Sequence, residues 1–275
     1  MSLAQRMDPR TGVLALAVLV AAGLRAGVLS SDSLGVLDSD EAVVGLMARH
    51  ALDGELTAFF WGQSYGGTLE PLLVAVAFAL AGSGVLTLKL VPVLLFAVAG
   101  VLVWLIGRRT IGERGAAIAV VLFGLGPAYV VWWSTKERGF YGVTLVLGLL
   151  VVLLVLRLHE RIDRRDLAVL GLALGLGLWT NAMIGFVALP AVGWLVWRRR
   201  SVLRRAWISL VCAALAASLW IREAVVNDLA PLRQGPEPGG DGYLDHLNTF
   251  FAADLPMALG LRIPFSLEWP VGELV

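Results

Sequence analysis

Charge is scarce in this sequence: Asp, Glu, Lys and Arg make up only 16% of 275 residues. A soluble domain of this size carries about 25%. The deficit excludes an ordinary water-soluble fold. Cysteine is nearly absent as well. Cys212 stands alone inside an apolar run, so no intrachain disulfide framework exists and the redox compartment is not readable. The net charge of +1 provides no bulk field for nucleic acid. P-loop, dinucleotide-fingerprint, CxxC and zincin patterns are all missing. His50, His159 and His246 show no metal-ligand spacing. There is no internal repeat of the kind that inverted-repeat transporters carry.

Long apolar runs take the place of the missing charge. They lie at Thr11–Leu24, Leu90–Gly107, Ala116–Trp133, Val143–Leu156, Leu167–Trp179, Ile184–Trp197 and Ala206–Ile221. Crossing ~30 Å of hydrocarbon as a helix takes ~20 residues. The expected fold is therefore an all-α polytopic membrane protein with about seven transmembrane helices, at roughly 11–29, 85–107, 115–133, 139–157, 166–180, 184–197 and 204–224. Arg6 and Arg10 ahead of the first run suit a signal anchor better than a cleaved signal peptide, since no small-x-small cleavage site closes that run.

The remaining charges set the orientation. The run Pro71–Ala81 is only eleven residues long, too short to cross comfortably. If it does not cross, Arg108/Arg109/Arg114, Arg157/Arg161/Arg164/Arg165 and Arg198–Arg200/Arg204/Arg205 all face the cytoplasm, as Lys/Arg-rich loops do. The N-terminus is then cytoplasmic, and a long first extracytoplasmic loop covers 30–84. The expected division is a transmembrane module at 1–225 and an extracytoplasmic tail at 226–275 that opens a longer C-terminal part. The tail starts with a Pro/Gly run at 235–240 and reads as mildly helical over Leu244–Leu259. Trp132, Trp133 and Trp179 near outer helix ends suit an aromatic belt or packing between helices. Arg25, at the outer end of the first span, is read as snorkelling.

Chemistry-bearing residues gather on the outer side. Asp38-Ser39-Asp40-Glu41 opens a helical pattern in which Val43, Val44, Met47 and Ala51 share a face. Acids at a helix start oppose its dipole, so capping by Ser39 or Asp40 competes with catalysis as the reason for them. Phe59–Pro71 alternates aromatics and glycines with amide and hydroxyl groups, including Trp61, Gln63, Tyr65 and Glu70. That mixture suits a sugar ring and its hydroxyls, and equally an interfacial loop. Lys89, Lys136 and Arg138 are cations on an otherwise acidic face. Either a phosphate at headgroup depth or the neighbouring acids, Glu137 among them, account for these cations.

Four stretches occur in an order and spacing that resemble the GT-C integral membrane glycosyltransferases, in particular the family-39-like proteins that include protein O-mannosyltransferases and lipid A aminoarabinose transferases. They are Asp40-Glu41-Ala42, Glu70-Pro71-Leu72-Leu73, Leu88-Lys89-Leu90-Val91-Pro92 and Lys136-Glu137-Arg138-Gly139-Phe140-Tyr141. The resemblance covers roughly 10–225. It implies sugar transfer, with inversion, from a polyprenyl-phosphate donor to a lipid, glycan or protein hydroxyl at the outer face of a membrane, and no nucleic-acid partner. It implies Asp40 as base, Glu41 beside it, and Lys89, Arg138 and Lys136 at the donor phosphate. Trp61, Gln63, Tyr65, Glu70 and Tyr141 are the expected substrate contacts. No metal is assigned, although some relatives place a divalent cation near the acids, which here would be Asp38, Asp40 and Glu41. Two departures stand out: the Glu70-Pro71 segment lacks a double proline, and Lys89 stands where arginine is usual. The arginine excess, twenty to two over lysine, suits a bacterial plasma membrane. The competing readings are a transporter or lipid flippase, and a non-catalytic or truncated membrane subunit.

Overall fold

The computed structural model describes residues 9–63, 65–227 and 242–262. Among them the chain is helical throughout, and the only β pairing is one isolated bridge between Phe59 and Gly67. The chain divides into two compact units, Met1–Val36 with Val121–Lys136 and Gly235–Val275, and Leu37–Val120 with Glu137–Gln234.

In the first unit, α1 (Pro9–Leu29) packs on α6 (Ala128–Trp133). The sequence suggested one span across 115–133. The chain instead breaks at Gly126-Pro127, between α5 (Gly112–Leu125) and α6. A helix that stops leaves carbonyls without partners, and Arg25 takes one of them. Its Nη1 donates to Gly124 O at 2.9 Å and to Ala21 O at 2.9 Å. Arg25 is 5% exposed, so it caps a helix end and does not snorkel. Short helical segments over Tyr243–Thr249, Phe250–Asp254 and Leu255–Ala258 match the helical reading of the tail. The run at 235–240 and Ser64 lie outside the described residues.

The second unit carries the site. It contains α2 (Ser39–Leu52), α3 (Leu69–Ala81), α4 (Val85–Thr110), α7 (Tyr141–Glu160), α8 (Arg164–Thr180), α9 (Gly185–Arg198), α10 (Ala206–Ala216) and α11 (Ser218–Val226). Two apolar clusters hold it. Val44, Ala48, Val74, Phe78, Leu88 and Val91 join α2, α3 and α4, and a larger one around Val151, Leu158, Leu167 and Leu195 joins α7, α8 and α9. α8 and α10 come close because Gly171 and Gly175 face the backbone of α10; a Cβ on Gly171 would stand 2.2 Å from Ser209 O. Small residues permit this approach in apolar surroundings, where packing drives helix association.

By length and composition, α4 and α7 each suffice to cross a membrane. A third crossing is reached only if Ala182–Arg198 and Arg200–Ala216, bent by 108°, count as one. These apolar helices belong to a membrane protein, and among the described residues two of the expected seven spans are interrupted: 115–133 divides into α5 and α6, and 204–224 divides at Ala217. α3 is 13 residues, about 20 Å of helix, and falls short of a crossing. Trp179 is buried with its Nε1 on Ala58 O, and Trp132 is buried too.

Candidate active site

The site begins at the start of α2. Its N-cap is Asp38, not Ser39 or Asp40. Asp38 Oδ1 accepts from Glu41 N (3.1 Å), and Glu41 Oε2 accepts from Asp38 N (3.2 Å), a reciprocal capping box. Successive residues of a helix point about 100° apart. Glu41 therefore shares the inward face with Val44 and Ala48, while Asp40 turns outward. Glu41 is fully buried, whereas the Asp40 side chain is 65% exposed.

Below Asp40 lies a buried floor. Lys89, in the second turn of α4, donates to Glu41 Oε1 at 2.7 Å and Oε2 at 2.8 Å, and only 3% of its side chain is exposed. Glu137 N adds a bond to Glu41 Oε1 at 3.2 Å. A buried ion pair persists when its remaining lone pairs find donors, and here backbone N–H groups provide them. Two further carboxyls, Glu70 at 1% exposure and Glu137 at 0%, complete the floor. Glu70, in the first turn of α3, reaches the start of α7, where its Oε2 accepts from Val143 N at 2.9 Å. The residue before α7, Phe140, provides no side-chain cap, so Glu70 does that work from another helix. Glu137 Oε1 accepts from Gly139 N at 3.2 Å. Burial raises the pKa of both carboxyls, and Glu137 rises well above the ordinary range because the negative Glu70 adds to its burial.

Above the floor is a rim. Arg138 Nη1 donates to Asp40 Oδ2 at 2.7 Å, and its Nη2 lies 3.0 Å from Asp38 Oδ2. The guanidinium thus holds two acids two positions apart, which its planar fork suits. Tyr141 opens α7 and stands where Tyr65, Arg138 and Asp40 act on its hydroxyl. Tyr65 and Tyr141 both lean on the Phe140 ring, with centroids 6.5 and 4.6 Å away. The loop over 53–68 is tied down from behind. Gly67 N donates to Thr180 O (2.8 Å), and a Cβ there would come within 2.5 Å of Trp179 O. At the turn, Gly139 adopts φ +79°, and its missing Cβ leaves room for the Phe60 ring.

The structure therefore brings Asp40, Glu41, Lys89, Arg138, Glu70, Tyr65 and Tyr141 together, though in two layers. Lys89, expected at a phosphate, has its ammonium enclosed with Glu41. Lys136 belongs to the other unit, where its Nζ donates to Val36 O and lies 5.5 Å from the Trp132 ring centroid. Trp61 is 37% exposed and sits edge-on to His50. Gln63 Oε1 is buried without a donor among the described residues. Lys89 engages both oxygens of Glu41, and Arg138 pairs with Asp38 and Asp40, so all three acids have cationic side-chain partners. Among the described residues no three His, Cys, Asp or Glu side chains converge as a metal set.

Glu137 is the member of this cluster that sequence reasoning passed over. An acid between Lys136 and Arg138 reads as their salt-bridge partner, yet it points inward.

A comparison with protein families matches residues 68–221 to the family described as dolichyl-phosphate-mannose-protein mannosyltransferase. The match covers more than half of the chain, and the chain belongs to this family, a GT-C type of membrane glycosyltransferase. The matched residues include Glu70, Lys89, Glu137, Arg138 and Tyr141; Asp38, Asp40 and Glu41 precede them. Comparisons with curated proteins and with solved structures gave no match.

Proposed function

We propose that the chain transfers a hexose, of the mannose type, from a polyprenyl-phosphate donor to an acceptor hydroxyl, with Asp40 as base. One observation carries this reading: Asp40 is the acid of the cluster that is exposed, and a guanidinium holds it in place. The acceptor hydroxyl gives its proton to Asp40 as its oxygen bonds to the anomeric carbon. The bond from that carbon to the phosphate oxygen breaks, and polyprenyl phosphate leaves with the electron pair. Attack opposite the leaving group inverts the anomeric centre. A base must come within ~2.6–3.2 Å of the proton it takes, and an exposed side chain at a helix start has the freedom to do so.

Arg138 is the cation at the rim and the phosphate ligand in this reading. A donor phosphate would draw Arg138 partly away from Asp40, freeing the carboxylate as the substrates assemble. It also neutralises charge on the leaving group, where fixed cations act most strongly. Lys89 serves the floor, holding Glu41 in register beneath Asp40. Trp61, Tyr65 and Tyr141 offer aromatic faces and hydroxyls to the sugar or acceptor, with Gln63 behind them.

The rim faces the extracytoplasmic side in this account. α7 supports that placement: Tyr141 stands at the rim and Glu160 ends the helix nineteen residues later, about 29 Å away. The arginines of 157–165 then fall at the opposite membrane face, the cytoplasmic one. The seven crossings, several of them broken, and a bacterial plasma membrane belong to the same proposal.

A flippase would need polar groups free at mid-membrane depth. Thr144 and Ser209 were the sequence's candidates, and their hydroxyls are bonded to Phe140 O and Leu167 O. Reconstitution distinguishes the two readings. Proteoliposomes given radiolabelled mannosyl-phospho-polyprenol and an acceptor should release polyprenyl phosphate and label the acceptor. Movement of intact donor between leaflets without cleavage would favour the flippase.

A further inference from the structure

We propose that Glu70 and Glu137 share one proton at neutral pH, and that this bond fixes the turn carrying Arg138, making both glutamates positioning residues. The two carboxyls meet side chain to side chain. Both side chains are buried, at 1% and 0% exposure. Among the described residues Glu137 Oε2 meets no N–H or hydroxyl donor, and an acceptor orphaned in the interior costs about 1–3 kcal/mol, more when charged. The surrounding groups do not repair this. From α2 comes Glu41, a third carboxylate. From α4 comes Lys89, which both oxygens of Glu41 already engage. On the turn itself, Arg138 is directed to Asp38 and Asp40. From α7 comes the backbone N–H of Val143, which Glu70 takes. One proton between the two carboxyls removes a buried charge and fills the empty acceptor together.

The pair is asymmetric. Glu70 caps α7, where negative charge is favoured, so Glu137 carries the proton and donates it. Glu137 N also bonds Glu41, and the next residue is Arg138. The shared proton thereby links α3, α7 and α2 at the point from which the guanidinium projects. Its consequence for transfer rests on the function proposed above; the proton itself does not.

The pH sign follows from Glu137 having a raised pKa in the folded state. Its stabilisation is complete below the unfolded value and is lost as pH rises through the folded one. Infrared spectra of the full chain in detergent at pH 7, with and without 13C-glutamate, should show a protonated-carboxyl C=O band that shifts with the label and disappears in Glu137→Gln. The thermal midpoint of the wild type should fall on the alkaline side, while that of Glu137→Gln, whose amide N–H replaces the shared proton, should stay flat there. Glu137→Gln should also turn over donor at least tenfold faster than Glu137→Ala. An unchanged band in Glu137→Gln, or superimposable midpoint–pH curves, overturns the proposal. Should Glu137→Gln fail to accumulate, the labelled wild type decides alone: an acid band that bleaches only at alkaline pH supports it, and no band at pH 7 overturns it. Glycosyl transfer could fail its own test with the band intact, so the two readings fail separately.

Discussion

The rim and the floor of the site use the same residue types to opposite ends. At the rim, Asp40 and Arg138 form an ion pair with Asp40 65% exposed. At the floor, Lys89 and Glu41 form one with almost no exposure. Water screens the first pair and leaves its members free to exchange partners. The second lies where breaking it leaves a buried charge. Asp40 and Glu41 are adjacent in the chain, so the difference comes only from which side of α2 each occupies. An acid near a helix start can therefore be a reactive group or a structural one, and helical phase decides which.

That contrast breaks most visibly at the floor. Lys89→Met leaves Glu41 uncompensated in the interior, at a cost of about 3–5 kcal/mol. It should prevent recovery of folded protein, as judged by size-exclusion chromatography and thermal melting. The double variant Glu41→Gln/Lys89→Met should recover part of the loss, because the two changes share one interaction. A Lys89→Met protein melting like the wild type would mean the floor is not what holds α2 to α4. At the rim, Arg138→Ala should fold normally and lose about 10²-fold in kcat, the scale of removing one donor to developing charge. Arg138→Lys should recover only part, since an ammonium cannot span Asp38 and Asp40 as the fork does. Between the layers, Gly139→Ala places a Cβ within 2.6 Å of Phe60 Cε2 at φ +79°. About 1–3 kcal/mol of strain follows, read as a lowered midpoint.

Much of the rim was legible in the sequence. Asp40 opens a helical pattern after a polar stretch, and Arg138 is a cation in a short turn that the charge pattern assigns to the outer side. The short helix over Pro71–Ala81 was also legible, because its length alone forbids a comfortable crossing. The Asp38-x-x-Glu41 capping box was written in the spacing but lost to Ser39 and Asp40, which satisfy the same composition rule. The Gly126-Pro127 break is signalled by its residues, yet a long apolar run hid it. The floor was not legible. Turn residues have no period, so nothing local says that Glu137 points inward between two cations of the same turn. Nor does sequence say that Lys89 meets Glu41 forty-eight positions away; that pairing exists only once α2 and α4 pack.

The account turns on Asp40 being the group that accepts the proton. The most direct measurement compares sugar transfer by the wild type and Asp40→Asn in proteoliposomes containing a polyprenyl-phosphate sugar. The predicted result is a kcat lower by about 10²–10⁴-fold, with an unchanged thermal midpoint, since an exposed side chain contributes little to folding. Transfer by Asp40→Asn at the wild-type rate would contradict it.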